Sequence, residues 1–207
     1  MFGFFGKSVR VMVLAGVVML AAAGVAAAAV NPATTAETGD ETSIPFGWVD
    51  FCARYADECV EENQEPQDIE LTPAALRRIA KINAQVNRSI EPITDLDQFG
   101  VIDRWDLPAE GRGDCEDYAL LKRRKLIEAG FPRAALLLTV VKQSNGEGHS
   151  ILTIKTNRGD YVLDNLSDAV KPWAEAPYRF VKRQSQENEN IWVAIAPVDA
   201  GRGFASR

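Results

Sequence analysis

The feature that most constrains this chain is a change of hydrophobic period near Gly130. Before it, apolar residues recur at helical spacing. Thr72-Pro73 places a hydroxyl at an N-cap and proline in the first turn, Leu76, Ile79, Ala80, Asn83, Val86 and Ile90 follow on one face, and Glu91-Pro92 ends the run. A second helix is predicted from about Cys115 in GRGDCEDYALLKRRKLIEAGF, with Gly130 as its C-terminal cap and Pro132 just beyond. The KRRK run, 122–125, spans too wide an arc for one helix face, so one of its side chains must lie along the apolar stripe and snorkel outward. Between the two helices, 93–113 reads as a long irregular loop. After Gly130 the period shortens. Ala134–Val141, His149–Thr156, Asp160–Leu166, Tyr178–Lys182 and Ile191–Ala196 are β-branched or aromatic runs bounded by turn residues. Helices first and strands afterwards argue for an α+β domain built on an antiparallel sheet.

The N-terminus decides the compartment. Met1–Arg10 carries Lys7 and Arg10 and no acid, and Val11–Val30 is uncharged and ends in alanines. That layout is a signal peptide, 1–29, with cleavage expected after Ala29. The alternative is a retained anchor of about 20 apolar residues. The expected location is the periplasm. Residues 30–45 read as a disordered polar tether and 46–200 as one domain. Losing Lys7 and Arg10 takes 23 basic residues to 21 against 29 acidic ones, a net charge of −8. Such a surface repels phosphate backbones, so nucleic acid is not an expected partner.

Three cysteines remain. Cys52 and Cys59 stand seven apart in FCARYADEC. On one continuous helix they would be about 10.5 Å apart, beyond disulfide reach. A bridge therefore requires the helix to end near Tyr55 and the chain to turn back through 56–58. An oxidising compartment favours that bridge over two buried thiols. A zinc site is disfavoured because no CxxC pair exists. Cys115 is the odd thiol.

A nucleophilic cysteine needs a stabilised thiolate, a base and a group that orients the base. Cys115 stands at a predicted helix start, where the dipole and free N–H groups favour a thiolate and can hold an oxyanion. Asp114 and Glu116 oppose this with their charges, unless they point away or a cation neutralises them. His149 is the sole histidine. A two- or four-residue hairpin loop within 156–159 would put His149 and Asp164 on one face, pairing Lys155 with Asp160, whereas a three- or five-residue loop would separate them. Taken singly, His149 could be a structural histidine, and Asp164-Asn165 an ordinary turn.

GDCEDYALLKRR, then GH at a strand start, then VLDN resemble the bacterial transglutaminase-like cysteine peptidases, and VNRSIEPITD (86–95) and the stretch around Trp105 match the approach to the cysteine motif in that family. The resemblance covers nearly all of the chain from Phe46 to the last strand. It implies a papain/transglutaminase-like core, with N-terminal helices and the nucleophile helix packed on an antiparallel sheet. It further implies Cys115 as nucleophile, His149 as base and then acid, and Asp164 as orienting carboxylate. The resemblance further implies the behaviour of the best understood members, which are periplasmic proteases that clip large surface adhesins and need calcium. That maps calcium ligands onto Asp114 and Glu116, with Asp117 as a third candidate that equally suits a helix N-terminus; the same acids could instead only complement the helix dipole. No organic cofactor is expected. Trp105 could wall the substrate cleft or shield the oxyanion, or plug the core beneath the loop. The expected partners are a protein substrate in the periplasm or outer membrane and, from the resemblance, an inhibitory membrane receptor. Two other functions fit the same residues: acyl transfer to an amine, and a non-catalytic calcium-binding periplasmic interaction module.

Overall fold

The computed structural model describes residues 1–3, 34–59 and 63–196. Almost all of the expected signal segment lies outside the described residues. Among the described residues no helix is long and apolar enough to cross a membrane.

Helix α1 (Phe46–Arg54) ends at Tyr55, and a single 3-10 turn, Ala56–Glu58, brings Cys59 back beneath Cys52. The two are bonded, with Cα atoms 5.7 Å apart, as the reversal at Tyr55 requires. Helix α2 (Pro73–Ser89) is capped by Thr72, whose hydroxyl accepts the Ala75 N–H at 3.1 Å. A two-residue strand β2 (Glu91–Pro92) follows. The expected loop then contains a short helix, α3 (Asp95–Phe99), started by the Thr94 hydroxyl, before β3 (Arg112–Gly113) and helix α4 (Cys115–Glu128). β2 and β3 pair in parallel, so the end of α2 is bonded directly to the residues that precede Cys115.

The sheet has the order β1-β9-β8-β4-β5-β6-β7, every neighbouring pair antiparallel. Its strands are β1 (Thr38–Thr42), β4 (Leu136–Lys142), β5 (Gly148–Thr156), β6 (Gly159–Asp164), β7 (Ser167–Pro172), β8 (Arg179–Gln184) and β9 (Trp192–Ile195). One face packs on the helices through Leu136, Leu138, Leu152, Ile154 and Leu163 against Phe51, Ile79, Leu120 and Leu126. The opposite face carries a second cluster around Val141, Ile151, Val162, Trp173 and Phe180.

Three expectations are corrected. The segment 30–45 is not wholly a disordered tether. Thr38–Thr42 pairs with β9 although all five side chains are exposed, and Ala36 is buried with its N–H donated to Asp160 Oδ2 at 3.1 Å. Edge pairing needs only backbone groups, so TGDET carries no apolar alternation to betray it. β7 was missed for the same reason. In the basic run, both Lys122 and Arg123 are buried rather than one snorkelling. Arg123 forms a fully buried ion pair with Glu189 and also donates to the Leu136 carbonyl, so its charge is compensated inside the fold.

Candidate active site

Local sequence sets each part of the site. Gly111 takes φ +71°, in the left-handed region, at the turn into β3. Gly113 has no room for a side chain, because a Cβ there would lie 2.3 Å from Asp117 Oδ2. The chain then enters α4 with Cys115 as its first residue. Asp114 occupies the N-cap without a side-chain capping bond, so its carboxylate is free to point elsewhere. The Cys115 sulfur meets strand β5 at the Ser150 N–H, which donates to it at 3.4 Å. That is one residue past His149.

The β5–β6 register pairs Leu152 with Leu163, Lys155 with Asp160, and Thr156 with Gly159, the odd-sum register that keeps His149 and Asp164 on one face. The two meet: His149 Nε2 lies 3.0 Å from Asp164 Oδ1, both side chains buried. Asp164 is fully engaged. Its Oδ1 also accepts the Leu166 N–H at 3.0 Å, and its Oδ2 accepts the Tyr178 hydroxyl at 2.5 Å. Burial alone would raise the carboxyl pKa, but the hydrogen bonds from His149 and Tyr178 outweigh it and hold the group below its ordinary range. An ionised Asp164 only accepts, so His149 must carry its proton on Nε2, leaving Nδ1 as the basic nitrogen. From α2, Asn87 Nδ2 bonds the Asp164 carbonyl at 3.0 Å and Asp168 Oδ1 at 2.9 Å, clamping the β6–β7 turn.

The helix tip is built differently. Asp114, Glu116 and Asp117 cluster with Asp95, the first residue of α3, and with Asp103. Carboxylate oxygens of Asp95, Asp114 and Asp117 lie within 4.8 Å of one another, and so do those of Asp95, Asp103 and Glu116. The Oδ1 atoms of Asp95 and Asp114 are buried with no hydrogen-bond partner. Burial and mutual repulsion push these acids up: Asp95 to about 6, Asp117 to about 8, Glu116 to about 9, and Asp114 also upward. Asp117 is not a simple helix-end charge, because its Oδ1 accepts the Asp106 N–H at 2.7 Å and ties the loop to the helix. The Cys115 thiol donates to Glu116 Oε2 at 3.0 Å. Burial, and then the Glu116 charge, drive the thiol pKa well above its ordinary value. The conflict foreseen between Cys115 and its flanking acids is therefore present in the fold. Converging carboxylate oxygens without partners are of the donor type that hard cations take.

Trp105 takes the core alternative. It is buried, makes edge contacts with Trp48 and Trp192 at 6.5 and 6.2 Å, and its indole N–H is committed to Asp103 Oδ1 at 3.0 Å. It has no donor left for an oxyanion. Sequence reasoning did not single out Asp95, Asp103, Lys122 or Tyr178. Asp95 stands at the end of VNRSIEPITD, right after the N-cap Thr94, which is its signal in the sequence. Lys122 is buried in α4, its pKa lowered by burial to about 7 against the pull of Asp164 and Asp168.

A family profile described as the bacterial transglutaminase-like cysteine proteinase BTLCP matches residues 38–200. No curated protein matches the chain. Among solved structures, calcium-bound LapG of Legionella pneumophila is similar over 60% of this chain and 71% of its own, at 25% identity and a TM-score of 0.50. LapG of the same organism is also similar at 26% identity over 60% and 71% of the two chains, and its EGTA-treated form at 24% over 62% and 74%, each with a TM-score of 0.49.

Proposed function

Because the chain belongs to the bacterial transglutaminase-like cysteine proteinases, we propose that it hydrolyses peptide bonds of an exported or surface protein, an adhesin by its kinship, through Cys115, His149 and Asp164, in the periplasm. The observation that carries this reading is the 3.0 Å contact between the sole histidine and Asp164, at the point on β5 where the Cys115 sulfur docks.

Asp164 holds the imidazole with its proton on Nε2. Nδ1 takes the proton of Cys115 as sulfur attacks the substrate carbonyl. The resulting oxyanion is held by first-turn N–H groups of α4, where the Asp114 side chain makes no cap. Collapse of the intermediate breaks the C–N bond, and His149 returns the proton to the leaving amine. Water, deprotonated by the same imidazole, then attacks the thioester and regenerates the thiol.

The acids at the helix tip fit calcium. Two sets sharing Asp95 would hold it, Asp95 with Asp114 and Asp117 or Asp95 with Asp103 and Glu116. When bound it supplies positive charge that offsets the carboxylate repulsion beside the thiol. Calcium-bound LapG supports this assignment.

Comparing surface proteins shed by cells carrying wild-type protein or Cys115→Ala tests the peptidase reading. Shedding that continues with the alanine variant refutes it. Iodoacetamide labelling of Cys115 at neutral pH should be much faster with calcium than in chelator. Slow labelling in both, with calcium bound, would instead favour a non-catalytic module.

A further inference from the structure

We propose that Tyr178 is a positioning residue of this site, fixing the Asp164 carboxylate and the His149 ring together. The proposal rests on the assignment of Cys115, His149 and Asp164 as the reacting groups.

Tyr178 reaches the pair from outside the β5–β6 hairpin. It stands immediately before β8, a strand separated from β6 by β4 and β5 in the sheet. Two contacts join it to the site: its hydroxyl donates to Asp164 Oδ2 at 2.5 Å, and its ring lies against the His149 ring, centroids 5.3 Å apart at 51°. Each addresses a different freedom. His149 and the Leu166 N–H hold only Oδ1, which leaves Oδ2 without a donor from the hairpin and the side chain anchored on one oxygen. The phenol holds the other oxygen. The ring contact covers one face of the imidazole and limits its rotation, so Nε2 stays on Asp164 and Nδ1 stays available.

The segment that presents Tyr178 is stiff. Pro172 and Pro177 bracket it, and Trp173 is buried with its ring edge-on to Phe180 at 5.4 Å. The hydroxyl is therefore held in place before substrate arrives, which is what a positioning group must supply. Lys122 of α4 is near enough to feel the Asp164 charge but forms no ion pair with it among the described contacts. It acts through charge and leaves Oδ2 to the phenol.

The test uses the protein without a histidine tag, so that His149 is the only imidazole, and with calcium present. Tyr178→Phe keeps the ring and removes the hydroxyl. The 15N spectrum of wild-type His149 should show a single Nε2–H tautomer. In Y178F it should show a mixture, and iodoacetamide alkylation of Cys115 should slow by about 10- to 100-fold, the effect of one lost hydrogen bond to a charged group. A merely structural role would lower the melting temperature and leave the tautomer alone. Unchanged tautomer and alkylation rate in folded Y178F overturn the proposal. If Y178F does not fold, the wild-type protein decides. A slowly exchanging Tyr178 hydroxyl proton supports the proposal, and a freely exchanging one overturns it. Wild-type Cys115 that alkylates no faster than a free thiol would defeat the peptidase reading itself, a separate outcome.

Discussion

The two halves of the site follow opposite electrostatic plans. On the β5–β6 hairpin, Asp164 is a buried carboxylate with both oxygens bonded, three donors around it and a lowered pKa. At the tip of α4, the buried Asp95, Glu116 and Asp117 and the half-buried Asp114 are carboxylates with raised pKa values, and two of their oxygens lack partners. Burial raises every one of these acids, but the Asp164 donors outweigh it, whereas the helix-tip acids have fewer donors and repel one another. The hairpin carboxylate is compensated as folded, whereas the helix-tip acids repel one another.

The same kind of substitution in each half tests this contrast most strongly. Asp164→Asn should lower kcat/KM by about 10^4-fold, since the amide no longer fixes the imidazole tautomer. It should also cost about 1–3 kcal/mol of stability in urea melts, because it removes a satisfied charge. Asp114→Asn, measured in chelator at pH 8, should shift stability the other way, by about +1 kcal/mol, by relieving repulsion among buried acids. If both variants destabilise equally, the contrast fails.

Calcium should sharpen the difference. At about 100 times its Kd it should stabilise the wild-type protein by about 2.7 kcal/mol, and Asp114→Asn much less. Melting temperatures that ignore calcium would remove it from the helix tip.

The remaining test is the pH dependence in chelator. Acids whose folded pKa is raised bind more protons in the folded state than in the unfolded one, so stability falls as pH rises through those folded values. Asp95 at about 6 and Asp117 at about 8 set the window from about pH 4 to 8. Asp164, with its folded pKa lowered, contributes stability that is lost only as pH falls below its ordinary value near 3.8. The calcium-free protein should thus melt higher at pH 5 than at pH 8, and saturating calcium should flatten that slope. A melting temperature that rises from pH 5 to 8 in chelator would contradict the helix-tip assignment.

Much of this was legible before any coordinates. Thr72-Pro73 marked the start of α2, the turn at Tyr55 was the condition for a Cys52–Cys59 bridge, and the Lys155–Asp160 pairing carried the hairpin register. These are local signals: caps, turn chemistry and alternation act over a few residues. What was misread involved partners far along the chain. β1 is a polar strand recruited by the edge of β9, and Arg123 is buried because Glu189 meets it; for Trp105, contacts with Trp48 and Trp192 decide between the two roles the sequence leaves open.

By itself the sequence determined an acidic α+β chain, its main helices ahead of the strand-rich half, with one histidine and one odd cysteine at a helix start. Composition and periodicity are properties of neighbours, so they survive without a fold. Only the tertiary structure decided that Asp95 joins Asp114 and Asp117 with oxygens unpaired, and that the Tyr178 hydroxyl reaches Asp164 across the sheet. Those are distances between segments separated by many residues, and chain closure in three dimensions is what sets them.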